Sequence, residues 1–165
     1  MIEIRKATAC DAEQIVKVIA NAEESGFMLF SPGERQVNAE GMAKRIDNMN
    51  RQQKSAFLVA QEDSTILGYM VVQDDVPQRI AHRAYLVIGV HSDSRGKGVG
   101  KALFNFATHW AKEVGLHRLE LTVLVKNTVA VQLYKKMGFE VEGVKKHSLY
   151  IDGQYEDEYY MAKLL

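Results

Sequence analysis

Arg95-Gly96-Lys97-Gly98-Val99-Gly100-Lys101 sets glycines among basic side chains. Glycine lets a backbone wrap closely around an anion, and the free N–H groups of a helix N-terminus attract negative charge. The apolar run Ala84–Val90 precedes this stretch. An amphipathic pattern follows it, with Val99, Leu103, Phe106, Ala107, Trp110 and Val114 on one stripe. A strand, a glycine loop and a helix in that order suit a diphosphate-bearing ligand. Two familiar phosphate loops do not fit. A P-loop needs G-x-x-x-x-G-K-[ST], yet Arg95 stands in place of the first glycine and Ala102 in place of the metal-binding hydroxyl. The dinucleotide pattern G-x-G-x-x-G fails as well, ending on Lys101 when read from Gly96 and on Leu103 when read from Gly98. Metal chemistry has no support, because His82 and His91 lack ligand spacing; no G-x-S-x-G nucleophile occurs.

The elements that must position this loop are legible from periodicity. Residues 2 to 7 alternate as a strand, and Thr8-Ala-Cys-Asp11 fits a capping box before a helix reaching about Glu24. Ser25 to Asn38 is irregular but rich in apolar residues. A second helix is expected from about Ala39 to Gln53. Phe57–Ala60 and Ile66–Val72 read as strands joined by Glu62-Asp-Ser-Thr65, and a third strand runs from about Ala81 to His91. Leu119–Val123 is another strand. A helix follows it with Val131, Leu133, Tyr134 and Met137, closed by Gly138. Two last strands, about Phe139–Ile151 and Gln154–Lys163, flank the hairpin pair Asp152-Gly153. The order is β-α-α-β-β-β-α-β-α-β-β, a mixed α/β single domain over residues 1–165 with a mostly antiparallel sheet.

The spacing Arg95-x-x-Gly98-x-Gly100 resembles the acyl-CoA-binding motif of the GCN5-related N-acetyltransferase (GNAT) superfamily. Asn127-x-x-Ala130-x-x-Leu133-Tyr134-x-Lys136-x-Gly138-Phe139 is similar to that family's second signature, and the element order matches along the rest of the chain. The resemblance implies direct transfer of an acetyl group from acetyl-CoA to an amine. Arg95, Gly96, Lys97, Gly98, Val99, Gly100 and Lys101 would wrap the CoA pyrophosphate. The backbone of Ile88, Gly89 and Val90 would pair with pantetheine, and Gly89 suggests a bulge or a close approach. Asn127 would hold the pantetheine arm, and Tyr134 would give a proton to the leaving thiolate. Ordinary alternatives stand beside these roles: Asn127 as a helix cap, Tyr134 as a core residue.

The base is not assigned. Acetyltransferases of ribosomal-protein N-termini carry a glutamate where this chain has Thr122, which weakens that substrate reading. Glu120, Glu24, Glu34, His82 and His91 are candidates. The fold would place the acceptor near Glu24, Phe27, Phe30, Glu34 and Tyr150, an apolar wall with carboxylates for a cationic amine. The expected acceptor is a small molecule, amino acid or peptide amine. Lys plus Arg and Asp plus Glu number 21 each, so a general nucleic-acid binder is not expected. Cys10 is the only cysteine, no run approaches a membrane span, and Met1–Lys6 reads as strand rather than signal peptide; a cytoplasmic protein is expected. The resemblance also allows a homodimer. The competing readings are a non-catalytic acyl-CoA-binding or sensory domain of the same fold and a nucleotide-binding module.

Overall fold

Two of the strands flanking the glycine loop run side by side only briefly, and the architecture is arranged around that separation. The computed structural model describes residues 1–165. In chain order the elements are β1 (Glu3–Lys6), α1 (Ala12–Glu23), α2 (Ala39–Asn50), β2 (Ala56–Glu62), β3 (Thr65–Asp74) and β4 (Arg83–Val90). They continue with α3 (Val99–Glu113), β5 (Arg118–Leu124), α4 (Thr128–Lys136), β6 (Glu140–Ile151) and β7 (Gln154–Leu164). The order expected from sequence is the order observed. The second helix stops at Asn50, one turn before the expected Gln53.

All seven strands form one sheet in the order β1-β2-β3-β4-β5-β7-β6. Every neighbouring pair is antiparallel except β4 and β5, which are parallel. Those two pair only from Arg83 to Tyr85 against Arg118 to Glu120. Beyond that point β4 stays with β3 up to Val90 and β5 stays with β7 up to Leu124, so a gap opens in the middle of the sheet.

The two faces bury different cores. On one, α3 and α4 cover Leu58, Met70, Val72, Leu86, Leu119, Leu121 and Val123. The stripe of α3 that faces the sheet is Val99, Leu103, Phe104, Ala107, Trp110 and Ala111; Phe104 is fully buried, while the expected Phe106 is only partly so. On the other face α1 and α2 cover Phe57, Val59, Tyr69 and Val71. They leave the β5–β7–β6 half of that face without a helix. Burying one such large apolar side chain is worth about 1.5–3 kcal/mol, so these stripes decide which way each helix lies.

Local chemistry sets the joints. Asp11 accepts the Thr8 N–H at 2.8 Å and both Arg5 guanidinium nitrogens at 2.7 and 2.8 Å, fastening β1 to the start of α1. Arg5 holds the Asp11 carboxyl below its ordinary range. Asp152 and Gly153 both have positive φ, the type I′ geometry that joins β6 to β7. Asn21 exchanges two hydrogen bonds with Ser92, tying the end of α1 to the loop after β4. No helix is long and apolar enough to cross a membrane.

Candidate active site

The glycine loop is built to leave donors unspent. Gly96 and Gly98 sit at φ +75° and +84°, the left-handed region, with open space where a Cβ would project. Gly98 caps α3. None of the backbone N–H groups from Arg95 to Lys101 donates to a backbone or side-chain acceptor; the first helical donor used is that of Ala102, to Gly98. Arg95, Lys97 and Lys101 are exposed and make no ion pair. Val99 differs from its neighbours, because its side chain is packed in the core and only its N–H faces the loop. Gly100 differs: a Cβ there would lie 2.8 Å from Leu133 Cδ2, the tip of a side chain of α4.

The sheet gap leads away from this loop. His91 donates to Leu67 at 2.8 Å, which by ladder alternation turns the N–H and C=O of Gly89 and Val87 toward β3. The backbone groups of Ile88 and Val90 therefore face the gap beyond the last β4–β5 pair, Tyr85 with Glu120, where no strand takes them up. An extended ligand can pair there as an added strand. Across the gap, Asn127 caps α4 through Oδ1, accepting the Ala130 N–H at 3.4 Å. Its amide N–H₂ is unused, so capping and ligand holding do not compete.

Tyr134 lies on the α3–α4 side, edge-on to Phe104 at 5.5 Å with Phe139 at 6.4 Å. Burial pushes its phenol up to about 12, and nearby Tyr85 adds to this. Tyr85 projects from the opposite face of the sheet. On that opposite face Tyr85 Oη and Thr122 Oγ1 are hydrogen-bonded at 2.7 Å, where β4 and β5 part.

That face carries a cleft of about 370 Å³ with Tyr85, Arg118, Glu120, Thr122, Glu142 and Tyr160 among its lining residues. Glu120 is engaged by Arg118 at 2.8 Å and Arg83 at 3.6 Å, and Arg118 also pairs with Glu142. A carboxylate committed to two guanidinium groups is a poor candidate base. His91 is also committed, accepting the Asp93 N–H.

Four of the acceptor residues expected from sequence, Glu24, Phe27, Glu34 and Tyr150, lie elsewhere. Glu24 and Glu34 are exposed without ion pairs, and Phe27 is 41% exposed on the α1–α2 connection. Tyr150 packs on Tyr155, which stacks on His147 in the β6–β7 hairpin. None of the four lines the cleft at the fork. Two features of this region were not singled out from sequence. Glu23, only 4% exposed, pairs with Arg35 at 2.8 Å, and Arg35 stacks over Phe30. The spacing Ile15–Ile19–Glu23 places that carboxylate on the buried stripe, which is the signal that could have found it. The second is Tyr69. A Cβ at Gly89 would lie 2.8 Å from both Cζ and Oη of Tyr69. The β3–β4 ladder keeps its register there, so Gly89 marks a close approach by this ring and not a bulge.

Comparisons with known proteins agree with this geometry. The model of the acetyltransferase (GNAT) family matches residues 23–139. An L-amino acid N-acetyltransferase of Escherichia coli is 36% identical over 65% of this chain and 67% of its own length. An N-alpha-acetyltransferase of Sulfurisphaera tokodaii is 29% identical over 96% of this chain and 90% of its own. The crystal structure of a GNAT-family acetyltransferase from Streptococcus pneumoniae superposes over the whole of both chains with a TM-score of 0.95 at 28% identity. With the motif pair in its expected places around a forked sheet, this chain belongs to the acetyltransferase (GNAT) family.

Proposed function

We propose that the protein transfers an acetyl group from acetyl-CoA directly to a primary amine, both substrates being bound together across the sheet gap. One observation carries this reading: the unspent N–H groups of Arg95–Lys101 stand beside the unpaired edge of β4. The loop suits a pyrophosphate, with Arg95, Lys97 and Lys101 adding charge. The gap-facing groups of Ile88 and Val90 suit the amides of a pantetheine arm, and the Asn127 amide is placed to reach the same arm. Acetyl-CoA is the ligand class that needs both features at once.

The chemistry follows from the two faces. The amine enters from the bare face and attacks the thioester carbon. The carbonyl electron pair moves to oxygen, where a strand N–H pointing into the gap can receive it. Collapse expels the CoA thiolate on the α3–α4 side, beside Tyr134. With its phenol pushed up to about 12, Tyr134 keeps its proton throughout the neutral range. Full transfer to an ordinary thiolate, near 8.5, is uphill by roughly 5 kcal/mol. The apolar wall of Phe104 and Phe139 also raises the thiol's own proton affinity, which narrows that difference. Tyr134 thus stabilises the departing sulfur by a hydrogen bond and completes the transfer as charge builds. The amine's own proton leaves by water past the Tyr85–Thr122 pair, with no fixed base required.

The acceptor is a small-molecule, amino-acid or peptide amine, and the amino-acid class is favoured by the Escherichia coli relative. Thermal unfolding with acetyl-CoA, ATP and NAD tests the donor assignment. Acetyl-CoA at about a hundred times its Kd is expected to add roughly 2.7 kcal/mol, with no comparable gain from ATP or NAD. A shift with ATP or NAD and none with acetyl-CoA would return the loop to a nucleotide-binding role.

A further inference from the structure

Tyr69 is 2% exposed, yet its hydroxyl makes no hydrogen bond. The chain contains no sealed side-chain polar atom without a partner, so this oxygen is the edge of the residue that still meets open space. The ring starts on β3 and its distal end, Cζ and Oη, lies over the β4 backbone at Gly89, the strand that borders the gap. Only a glycine at position 89 permits that approach. Phe57 flanks the ring on the β2 side, at 6.0 Å between centroids, so it cannot swing back without disturbing the core. An O–H on an otherwise buried ring that keeps one opening is free to donate to a ligand atom entering there.

We propose that the Tyr69 hydroxyl is a hydrogen-bond donor to the acyl carbonyl oxygen, sharing it with one gap-facing N–H of the β4 edge beside Gly89. This rests on the acetyltransferase reading above and adds a catalytic residue to it. Desolvation raises the Tyr69 phenol to about 12, so it is present as O–H at neutral pH and does not serve as a base. During attack the nitrogen lone pair forms the C–N bond while the C=O pair moves to oxygen. Tyr69 donates a hydrogen bond to that oxygen and retains its proton. Collapse restores C=O, breaks C–S and leaves the pair on sulfur; Tyr69 undergoes no net change.

Tyr69→Phe keeps the ring and removes only the unbonded oxygen, so its melting temperature is expected to match the parent. Three readouts are then compared. The Kd for acetyl-CoA stays within about twofold. kcat falls about 100-fold, the scale of one lost oxyanion donor. The infrared carbonyl band of bound acetyl-CoA, labelled with ¹³C at the acetyl carbonyl, moves to higher frequency because a hydrogen bond to oxygen is gone. An unchanged carbonyl band, or a kcat within about threefold of the parent, overturns the assignment. So does a fall in kcat accompanied by a lower melting temperature, which would make Tyr69 structural. The parent protein serves as the separate test of the underlying reading. If it neither binds acetyl-CoA nor releases thiol with any amine, it is the acetyltransferase function that fails, before Tyr69 is involved.

Discussion

Three tyrosine hydroxyls lie on elements around the gap, and their surroundings differ. Tyr134 is walled by Phe104 and Phe139, and Tyr69 lies under α1 across Gly89. Tyr85 is the exposed member, bonded to Thr122. Tyr134→Phe is expected to lower kcat by about 10²–10³-fold, within the range of general acid catalysis. Acetyl-CoA affinity should hardly change, because in the proposed role the hydroxyl acts on a sulfur that is neutral until the bond breaks. An isothermal titration beside steady-state rates separates the two effects, and a full-rate variant would remove the acid role. The pH profile carries a sign as well. A phenol raised to about 12 does not deprotonate below pH 10, so no alkaline fall in rate through pH 8–10 can come from Tyr134. Tyr134 can be singled out in the sequence because its motif is local, and the structure sets it against Phe104 and Phe139. Tyr69 cannot: in Leu67-Gly-Tyr-Met-Val71 it reads as a buried strand residue, and only the register that sets it against Gly89 gives its hydroxyl a destination.

At the scale of elements, the glycines separate into two kinds. Gly98 holds a left-handed conformation with open space beside it, whereas Gly100 is helical and close to Leu133. Gly98→Ala is expected to cost about 1–2 kcal/mol from backbone conformation alone, and to weaken acetyl-CoA binding because the loop must reshape. Gly100→Ala meets only the end of a flexible leucine, so its stability loss should be smaller; urea unfolding of the two variants checks the contrast. The joint at Asp11 makes a pH prediction. Its carboxyl is depressed by Arg5, so the stability it adds is complete above the unfolded value near 4 and is lost as pH falls through the lower folded value. Asp11→Asn should therefore cost about 1–2 kcal/mol near neutrality and progressively less toward pH 2. Element order and most boundaries followed from periodicity and caps, since those signals are carried within each segment. The forked sheet did not, because the parting of β4 from β5 after Glu120 depends on partners far apart in sequence. The acceptor side was the least legible for the same reason: its cleft combines Tyr85, Glu120, Thr122, Glu142 and Tyr160 from four strands.

For the whole molecule, balanced charge is informative. With 21 basic and 21 acidic residues, no long-range field steers an anion to the protein. Salt sensitivity of acetyl-CoA binding must then arise locally, at the unpaired Arg95, Lys97 and Lys101. Replacing all three with alanine should weaken binding at low salt and flatten its dependence on ionic strength, as a titration from low to high salt would show. The larger claim is that the two faces of one sheet hold donor and acceptor together through the gap. That coupling is what distinguishes an enzyme from a domain that merely binds acyl-CoA. The direct measurement is release of free thiol from acetyl-CoA in the presence of amino acids, polyamines, aminoglycosides and peptides, with the product weighed by mass spectrometry. The account predicts amine-dependent thiol release and an N-acetylated product for at least one class. Tight acetyl-CoA binding with no thiol release for any amine would contradict it.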